Sequence, residues 1–430
     1  MAGAPDGDWA VGEVTGLPFP ANARALVAGG PAFLTRALRA WGALTGDNEV
    51  TGIDAVRESP GGSTGRKLTL SVTYAQTTAR LPREIFVKFS RDFDDPVRDH
   101  GRTQMAAEVR FATLARAVAL PVTVPAVLFA DYHGATGTGV LITEQIAFGS
   151  NGIEPHYAKC LDHEMPDAIG HYRALLSAVA RLAGADRGGR LPAEVTRGFP
   201  VDLRAASVGE PPPVSPQRAQ RQVARYAEFV QSHPTLLPEA VRTPAFLSRL
   251  AEEAPRVAAH EADVWRRLAA RPDLIALCHW NANVDNAWFW RDTGGGLQCG
   301  LLDWGCASRM NVAMAIWGAL CGAETQLWSD HFGELLTLFG DEYHRAGGPL
   351  LETADLREHV VLYVAVMGVT WLLAAPTYLR SRLPDPVASR HAAPVRDHES
   401  VRAQLQMLTN VMAVWEANDI GRVLDRCLPG

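Results

Sequence analysis

Between residues 49 and 147 the apolar and polar positions of the chain alternate with the period of β-strands. Residues 68–76 read LTLSVTYAQ, in which Leu68, Leu70, Val72 and Tyr74 alternate with Thr69, Ser71 and Thr73. Because successive side chains of a strand point to opposite faces, this pattern predicts one buried and one polar face. Together these patterns predict a small antiparallel sheet with one main helix. Strands are predicted at 68–76, 84–90, 124–133 and 139–146, and the helix near 102–118.

Elsewhere the apolar positions recur with the spacing of helices. Residues 31–44, PAFLTRALRAWGAL, form one apolar stripe, and after the GSNG at 149–152 the chain is mainly helical. We therefore predict an α+β chain. Its predicted parts are an N-terminal extension with a helix (1–48), a small sheet-containing N-lobe (49–147) and a helical C-lobe (148–430), whose helices include 171–184 and 248–270.

Length and charge restrict the class of protein. A chain of 430 residues with 47% hydrophobic residues can bury a large core in two lobes, and its net charge of -6 lacks the positive field expected of a nucleic-acid binder. The uncharged stretch at 360–375 would span only about 24 Å as a helix, less than a ~30 Å bilayer core, so a buried helix is expected. The N-terminus does not read as a secretory signal, which favours a cytoplasmic location without a membrane anchor.

Lys88 and Glu108 are the first candidates for chemistry. A lysine in the 84–90 strand lies either on the surface or in a cleft where it meets phosphates, and the strand pattern alone favours the surface. Glu108, however, lies on the apolar stripe of the 102–118 helix, and a buried carboxylate is costly unless a cation meets it. We therefore expect Lys88 and Glu108 to pair, as kinases pair a lysine that holds a nucleotide.

The turn at 59–66, SPGGSTGR, is glycine-rich and lies between strand candidates. Its Gly62 and Ser63 occupy the place where a loop that covers phosphates is expected, because glycines let backbone N–H groups approach an anion. A plain hairpin turn explains the same residues equally well, and both interpretations stay open.

Residues 277–305, LCHWNANVDNAWFWRDTGGGLQCGLLDWG, carry the strongest signal. One short apolar strand ends at His279, Asn281 and Asn286 follow it, and a second strand delivers Asp303. An aspartate at the end of a strand is a hard oxygen ligand for magnesium, and the amide oxygen of Asn286 can serve an ion as well. His279 is expected to brace the loop. The order and spacing together favour a nucleotide and metal site.

This pattern resembles the catalytic and metal-binding loops of the aminoglycoside phosphotransferase and choline kinase-like superfamily, and within it the ecdysteroid kinase-like branch, over roughly residues 49–380. The resemblance implies a bilobal protein-kinase-like fold, ATP or GTP as the phosphate donor, Mg²⁺, and the hydroxyl group of a small molecule as the acceptor. It implies nothing about oligomeric state. The implied roles are Lys88 and Glu108 as the nucleotide-binding pair, Glu144 to Ala147 (with Ile146) as the hinge that contacts adenine through its backbone, Asn286 and Asp303 as magnesium ligands, and His279 and Asn281 in the catalytic loop.

The sequence departs from the family at the catalytic position. The aspartate that receives or orients the proton of the acceptor corresponds to Asn281, the usual glycine of the loop is Trp280, and a second family aspartate corresponds to Asn311. Asp285 is acidic but out of register. An amide does not take up a proton, and a general base contributes roughly 10²- to 10⁴-fold. Three functions therefore remain: a phosphotransferase with weakened activity, a nucleotide-binding pseudokinase, and a kinase-like fold with other chemistry such as elimination.

Overall fold

The computed structural model describes residues 7–59, 64–79, 81–206 and 213–427. The chain forms two compact units. Unit 1 takes its described residues from Met1–Asn151, Leu191–Phe199 and Leu301–Ala307, and unit 2 takes its described residues from Gly152–Arg190, Pro200–Gly300 and Ser308–Gly430. Gly62 and Ser63, for which phosphate contact is predicted, lie outside the described residues.

The strands are β1 (Trp9–Val11), β2 (Pro18–Pro20), β3 (Val50–Glu58), β4 (Lys67–Tyr74), β5 (Glu84–Phe89), β6 (Val127–His133), β7 (Thr138–Glu144), β8 (Ile275–His279), β9 (Ala287–Arg291), β10 (Leu297–Leu301) and β11 (Ala307–Asn311). The helices are α1 (Ala23–Trp41), α2 (Pro96–His100), α3 (Met105–Ala117), α4 (Ala168–Arg187), α5 (Ala193–Thr196), α6 (Pro216–Ser232), α7 (Pro244–Ala259), α8 (Glu261–Ala269), α9 (Val312–Leu320), α10 (Thr325–Arg345), α11 (Thr353–Thr370), α12 (Ala375–Arg382), α13 (Ala393–Arg396), α14 (Glu399–Ala417) and α15 (Ile420–Asp425).

Unit 1 is built on a five-stranded sheet of order β3-β4-β5-β7-β6, in which every neighbouring pair is antiparallel. Strands β4 to β7 are the four strands that the alternating pattern predicts, and α3 is the predicted helix. Leu68, Leu70 and Val72 are buried as the pattern requires. The register pairs Lys67 of β4 with Lys88 of β5, so both lysines lie on the same face of the sheet.

Helix α1 covers the buried face of this sheet. Asn22 caps its N-terminus, because the Asn22 side chain accepts a hydrogen bond from the Ala25 N–H. The helix is kinked at Gly30, where φ is 55° and Pro31 follows, so it begins earlier than the predicted 31–44 segment. Phe33 lies edge-on to Phe129 with ring centroids 6.0 Å apart. The N-terminal segment thus contributes to the same hydrophobic core as the sheet.

Residues Leu301–Ala307 belong to unit 1 because they pack on α3. The rings of Phe111 and Trp304 stack with centroids 3.5 Å apart and planes 7° from parallel. A Cβ atom at Gly305 would lie 3.2 Å from the Oε1 atom of Glu108, so this turn passes close to the helix. The stack therefore fixes Asp303, the residue before Trp304, beside the helix that carries Glu108.

Unit 2 is mainly helical. The segment predicted as one helix over 248–270 is two helices, α7 and α8, because His260 departs from helical geometry between them. One stretch, Thr353–Arg382, is long and apolar enough to cross a membrane, with a mean hydropathy of 1.9, but 83% of its apolar window is buried within the structure. This is the pattern of a core helix, as predicted for residues 360–375.

Two further two-stranded ladders pair β8 with β11 and β9 with β10. Strand β8 ends at His279 as predicted, and β10 ends at Leu301. The predicted α+β class, with a small antiparallel sheet and one main helix in one unit and a mostly helical second unit, is confirmed.

Candidate active site

Lys88 lies between two carboxylates in unit 1. Its Nζ atom is 2.6 Å from Oε1 of Glu108 and 2.8 Å from Oδ1 of Asp303. The side chains of Lys88 and Glu108 are 5% and 2% exposed, whereas that of Asp303 is 31% exposed. The predicted Lys88–Glu108 pair is confirmed, and of the two interpretations of Lys88 the surface one is wrong.

Three elements place these side chains. Lys88 projects from β5 between the buried residues Val87 and Phe89. Glu108 lies in the first turn of α3, where the positive end of the helix dipole favours a carboxylate. Asp303 follows β10 in the left-handed conformation with φ 63°, a backbone geometry that aspartate tolerates better than most residues. The position of Asp303 thus depends on a specific turn after the strand.

The charges of this cluster are strongly coupled. Burial alone would lower the pKa of Lys88, but Asp303 and Glu108 outweigh that effect and raise it above its usual value, so the ammonium stays charged. Burial raises the pKa of Glu108, and Lys88 opposes that rise. Glu108 is therefore committed to Lys88. Asp303 is the more exposed carboxylate and the one suited to meet a ligand.

Lys67 is a member of this cluster that the sequence analysis missed. It starts β4 directly opposite Lys88, and its pKa is lowered by burial and by the charge of Lys88, while Asp303 and Glu108 act in the opposite direction. Its signal was present in the sequence: the alternating pattern of β4 and β5 places both lysines on polar-facing positions, but only the pairing register brings them opposite each other.

The described end of the glycine-rich turn packs tightly on β5. Gly65 has φ 36°, and a Cβ atom there would lie 1.7 Å from the carbonyl oxygen of Phe89, so only glycine fits. The Phe89 N–H donates to the carbonyl of Arg66 at 2.8 Å. The turn is therefore held next to the strand of Lys88, and phosphate contact by its remaining residues stays a prediction.

The predicted hinge follows β7. The backbone N–H of Glu144 donates to the carbonyl of Ala126 at 2.9 Å, and the Glu144 side chain accepts from the Ala126 N–H at 2.8 Å. The carbonyl of Glu144 also accepts a hydrogen bond from the Thr143 hydroxyl at 2.9 Å. Glu144 therefore keeps no backbone N–H for a base, and an adenine contact at Ile146 stays a prediction.

In unit 2 a network of amides fixes the loop after β8. The Asn281 N–H donates to Nδ1 of His279 at 3.1 Å, so this ring nitrogen is the acceptor. The side chain of Asn286 donates to the Asn281 carbonyl at 2.8 Å. Since the Asn286 nitrogen is used in this bond, the amide oxygen points the other way. His279 thus braces the loop, as predicted.

The side chain of Asn281 is itself oriented by a neighbour. Its Oδ1 atom accepts a hydrogen bond from Nδ2 of Asn283 at 2.8 Å, and Asn283 is 3% exposed. The side of Asn281 away from Asn283 therefore presents its amide N–H₂ group, which donates hydrogen bonds. The Asn281 oxygen, which could orient an acceptor hydroxyl, thus already accepts one hydrogen bond.

Asp285, and Asn311 at the position where the resemblance implies a second aspartate, have partners elsewhere. The Asp285 carboxylate lies 3.5 Å from the Lys159 ammonium, and burial raises its pKa. Asn311 caps α9 through its side-chain oxygen, and its nitrogen donates to the carbonyl of Leu268 and lies 3.0 Å from Nδ1 of His359. Asn311 therefore serves the packing of its helix.

The next question is which side-chain oxygens could be ligands of a magnesium ion. In the described ranges, no group of three or more His, Cys, Asp or Glu side chains is arranged to hold a metal ion. Magnesium usually takes one or two carboxylates together with phosphate oxygens and water. The partly exposed carboxylate of Asp303 is a ligand of that kind.

No family model and no curated protein matches the chain. Among solved structures it is similar to a spectinomycin phosphotransferase in complex with ADP and spectinomycin (TM-score 0.41, 10% identity, 84% of this chain and 92% of that chain covered). It is also similar to a microcompartment-associated aminopropanol kinase (0.42, 13%, 87% and 95%) and to an ethanolamine kinase of Plasmodium vivax (0.40, 13%, 83% and 82%). The ecdysteroid kinase-like branch stays a prediction.

Proposed function

We propose that this protein is a cytoplasmic phosphotransferase that uses ATP or GTP with Mg²⁺ and acts on the hydroxyl group of a small molecule. The observation that carries the proposal is the contact of Lys88 with both Glu108 and Asp303. A buried lysine between two carboxylates is not explained by stability alone, because a protein with apolar residues of similar volume at these positions is often as stable. A role in binding phosphate explains why the charges are there.

In this proposal each residue of the cluster has one task. Glu108 holds Lys88 in place, and Lys88 exchanges Asp303 for a phosphate oxygen when the nucleotide binds. The exchange leaves the Asp303 carboxylate able to hold a metal ion. Magnesium would neutralise the negative charge of the phosphates as it builds up during transfer. From unit 2 we assign a metal-binding role to the amide oxygen of Asn286, and Ile146 is the proposed contact of the base.

The test is a transfer assay with ³²P-labelled ATP, Mg²⁺ and a panel of hydroxyl compounds. We expect slow, magnesium-dependent transfer in the wild type and its loss in Asp303→Asn. Arg83→Met, a change at an exposed ion pair of the same sheet, serves as the matched control and should keep the wild-type rate. Transfer that survives Asp303→Asn would remove Asp303 from the mechanism.

A nucleotide-binding pseudokinase is the second candidate, and the orientation of Asn281 favours it. With its oxygen bonded to Asn283, Asn281 offers a hydrogen-bond donor and not a base. This candidate predicts that Mg-ATP binds without turnover. At 100 times its dissociation constant the ligand would stabilise the folded protein by about 2.7 kcal/mol, which raises the melting temperature. If the Mg-ATP shift is the same in Asp303→Asn, the proposed metal ligand is misplaced.

The third candidate is a kinase-like fold with other chemistry. Loss of water or phosphate from a substrate, seen by mass spectrometry, would favour elimination.

A further inference from the structure

The chain uses lysine at three positions, Lys67, Lys88 and Lys159, and all other members of its 41 lysines and arginines are arginines. An arginine presents a planar fork of donors, whereas a lysine is a compact point charge on a flexible stem. None of the three lysines is in the exposed class. Lys88 contacts Glu108 and Asp303, and Lys159 pairs with Asp285. The third, Lys67, needs a separate explanation.

Lys67 is placed where a second positive charge is unfavourable. Lys67 and Lys88 are direct cross-strand partners, so their Cβ atoms lie about 4.5–5.5 Å apart on one face of the sheet. Like charges directly opposite each other destabilise a sheet. An anion on that face would offset the repulsion.

The two acids nearby do not provide this compensation through direct contact. Both are taken by the ammonium of Lys88, at 2.6 and 2.8 Å. Within the part of the chain that the structure describes, the Lys67 ammonium has no ion pair and no hydrogen bond of its own, although the side chain is partly buried. Its lowered pKa, caused by burial and by Lys88, agrees with a charge that lacks a close partner.

We propose that Lys67 is a second phosphate ligand, and that Lys67 and Lys88 together bind two neighbouring phosphate groups of a nucleoside di- or triphosphate. The inference rests on the proposed function for the identity of the nucleotide. The position of Lys67 supports the inference, because Lys67 directly follows the glycine-rich turn, whose Gly65 is packed on β5 next to Lys88. Two ammonium groups on adjacent strands suit a polyphosphate chain better than a single phosphate.

The test is calorimetric titration of the full chain with ADP, AMP, adenosine and inorganic tripolyphosphate at fixed magnesium concentration. In Lys67→Met we expect affinity for ADP and tripolyphosphate to fall about ten-fold or more, since a charge-assisted contact is lost, while adenosine binding stays unchanged. Lys67→Arg should keep part of the affinity. Arg83→Met, at an exposed ion pair of the same sheet, is the control and should bind like the wild type.

A second readout excludes a purely structural role. Because Lys67 has no ion pair or hydrogen bond among the described residues and lies opposite Lys88, removal of its charge should leave the melting temperature of the ligand-free protein unchanged or raise it. Equal ADP affinity in wild type and Lys67→Met would overturn the inference, and so would a lowered melting temperature together with weakened adenosine binding. If wild type binds tripolyphosphate through Lys67 but transfers no phosphate, the two-lysine site stands and the proposed transfer fails. If wild type binds neither ADP nor tripolyphosphate, both fail.

Discussion

The charged cluster of unit 1 and the loop after β8 in unit 2 solve the same problem of fixing polar side chains in opposite ways. In unit 1 a buried ammonium is held by two carboxylates, Glu108 and Asp303. In unit 2, Asn281, Asn283 and Asn286 hold one another through neutral amide hydrogen bonds. Buried charges are costly and neutral amides are not, provided that they are hydrogen-bonded. The molecule thus has buried charges around Lys88, where the proposed function places phosphate, and an amide at Asn281, where the resemblance implies the charge of a carboxylate.

The largest expected effect comes from restoring that charge. Asn281→Asp adds a carboxylate that still accepts the hydrogen bond from Asn283, so the loop geometry should persist. If transfer in the wild type is slow because a base is missing, the rate should rise about 10²- to 10⁴-fold. Single-turnover transfer of ³²P measures it.

The control for this change is Asn151→Asp, which adds the same charge at an exposed turn and should leave the rate unchanged. An unchanged or lower rate in Asn281→Asp would contradict the comparison of the two regions, because the absence of a carboxylate at position 281 would then not be what limits the transfer rate. No transfer in the wild type together with recovery in Asn281→Asp would favour the pseudokinase.

Removing the charge of Lys88, the cation between the two carboxylates, tests the charged cluster of unit 1. Lys88→Met leaves Glu108 buried without its partner, and breaking a buried ion pair on one side typically costs about 3–5 kcal/mol. Urea denaturation followed by circular dichroism should show this loss. In the double variant Lys88→Met/Glu108→Leu most of the stability should return, because both buried charges are gone. A double variant as unstable as the single one would show that the cluster contributes through packing and not through charge.

His359, which contacts Asn311 outside the loop after β8, provides a pH test of a second neutral polar site of unit 2. Burial lowers its pKa from 6.5 to about 4, with Arg267 next in weight and also lowering it, Glu358 opposing, and Arg271 and Asp355 contributing less. As pH falls below 6.5 the unfolded chain takes up the proton first. Stability is therefore fully present above pH 6.5 and is lost progressively down to about pH 4, by about 3 kcal/mol.

The measurement is the urea midpoint of wild type and His359→Gln between pH 7 and pH 4. Glutamine can accept the hydrogen bond from Asn311 without titrating, so the variant should lose less stability in acid than the wild type. Parallel curves for the two proteins would mean that His359 is not held neutral. The Nε2 atom of His359 has no hydrogen-bond partner among the described residues, which agrees with a neutral ring.

The contrast between the regions also shows what sequence patterns can and cannot predict. Strands β4 to β7 and helix α3 followed from apolar periodicity, and the Lys88–Glu108 pair followed from the cost of a buried carboxylate. The position of Lys67 opposite Lys88 depends on strand register, and the division of 248–270 into two helices depends on the backbone of one residue, His260. The orientation of the Asn281 amide is set by Asn283, a hydrogen bond between side chains that residue spacing alone does not reveal.

The smallest expected effect concerns how the charged cluster is assembled. Trp304, next in the chain after Asp303, stacks on Phe111 of the helix that carries Glu108, and we expect this stack to help place Asp303 beside Lys88. A double-mutant cycle of Phe111→Leu and Trp304→Leu should give a coupling energy of about 1 kcal/mol, the amount typical of an aromatic pair beyond its buried area. Phe111→Leu combined with Thr51→Ala, a change at an exposed position of β3, should show no coupling. A coupling near zero for the stacked pair would mean that the turn is held by its backbone alone, and the charged region would then owe its geometry to the left-handed conformation of Asp303.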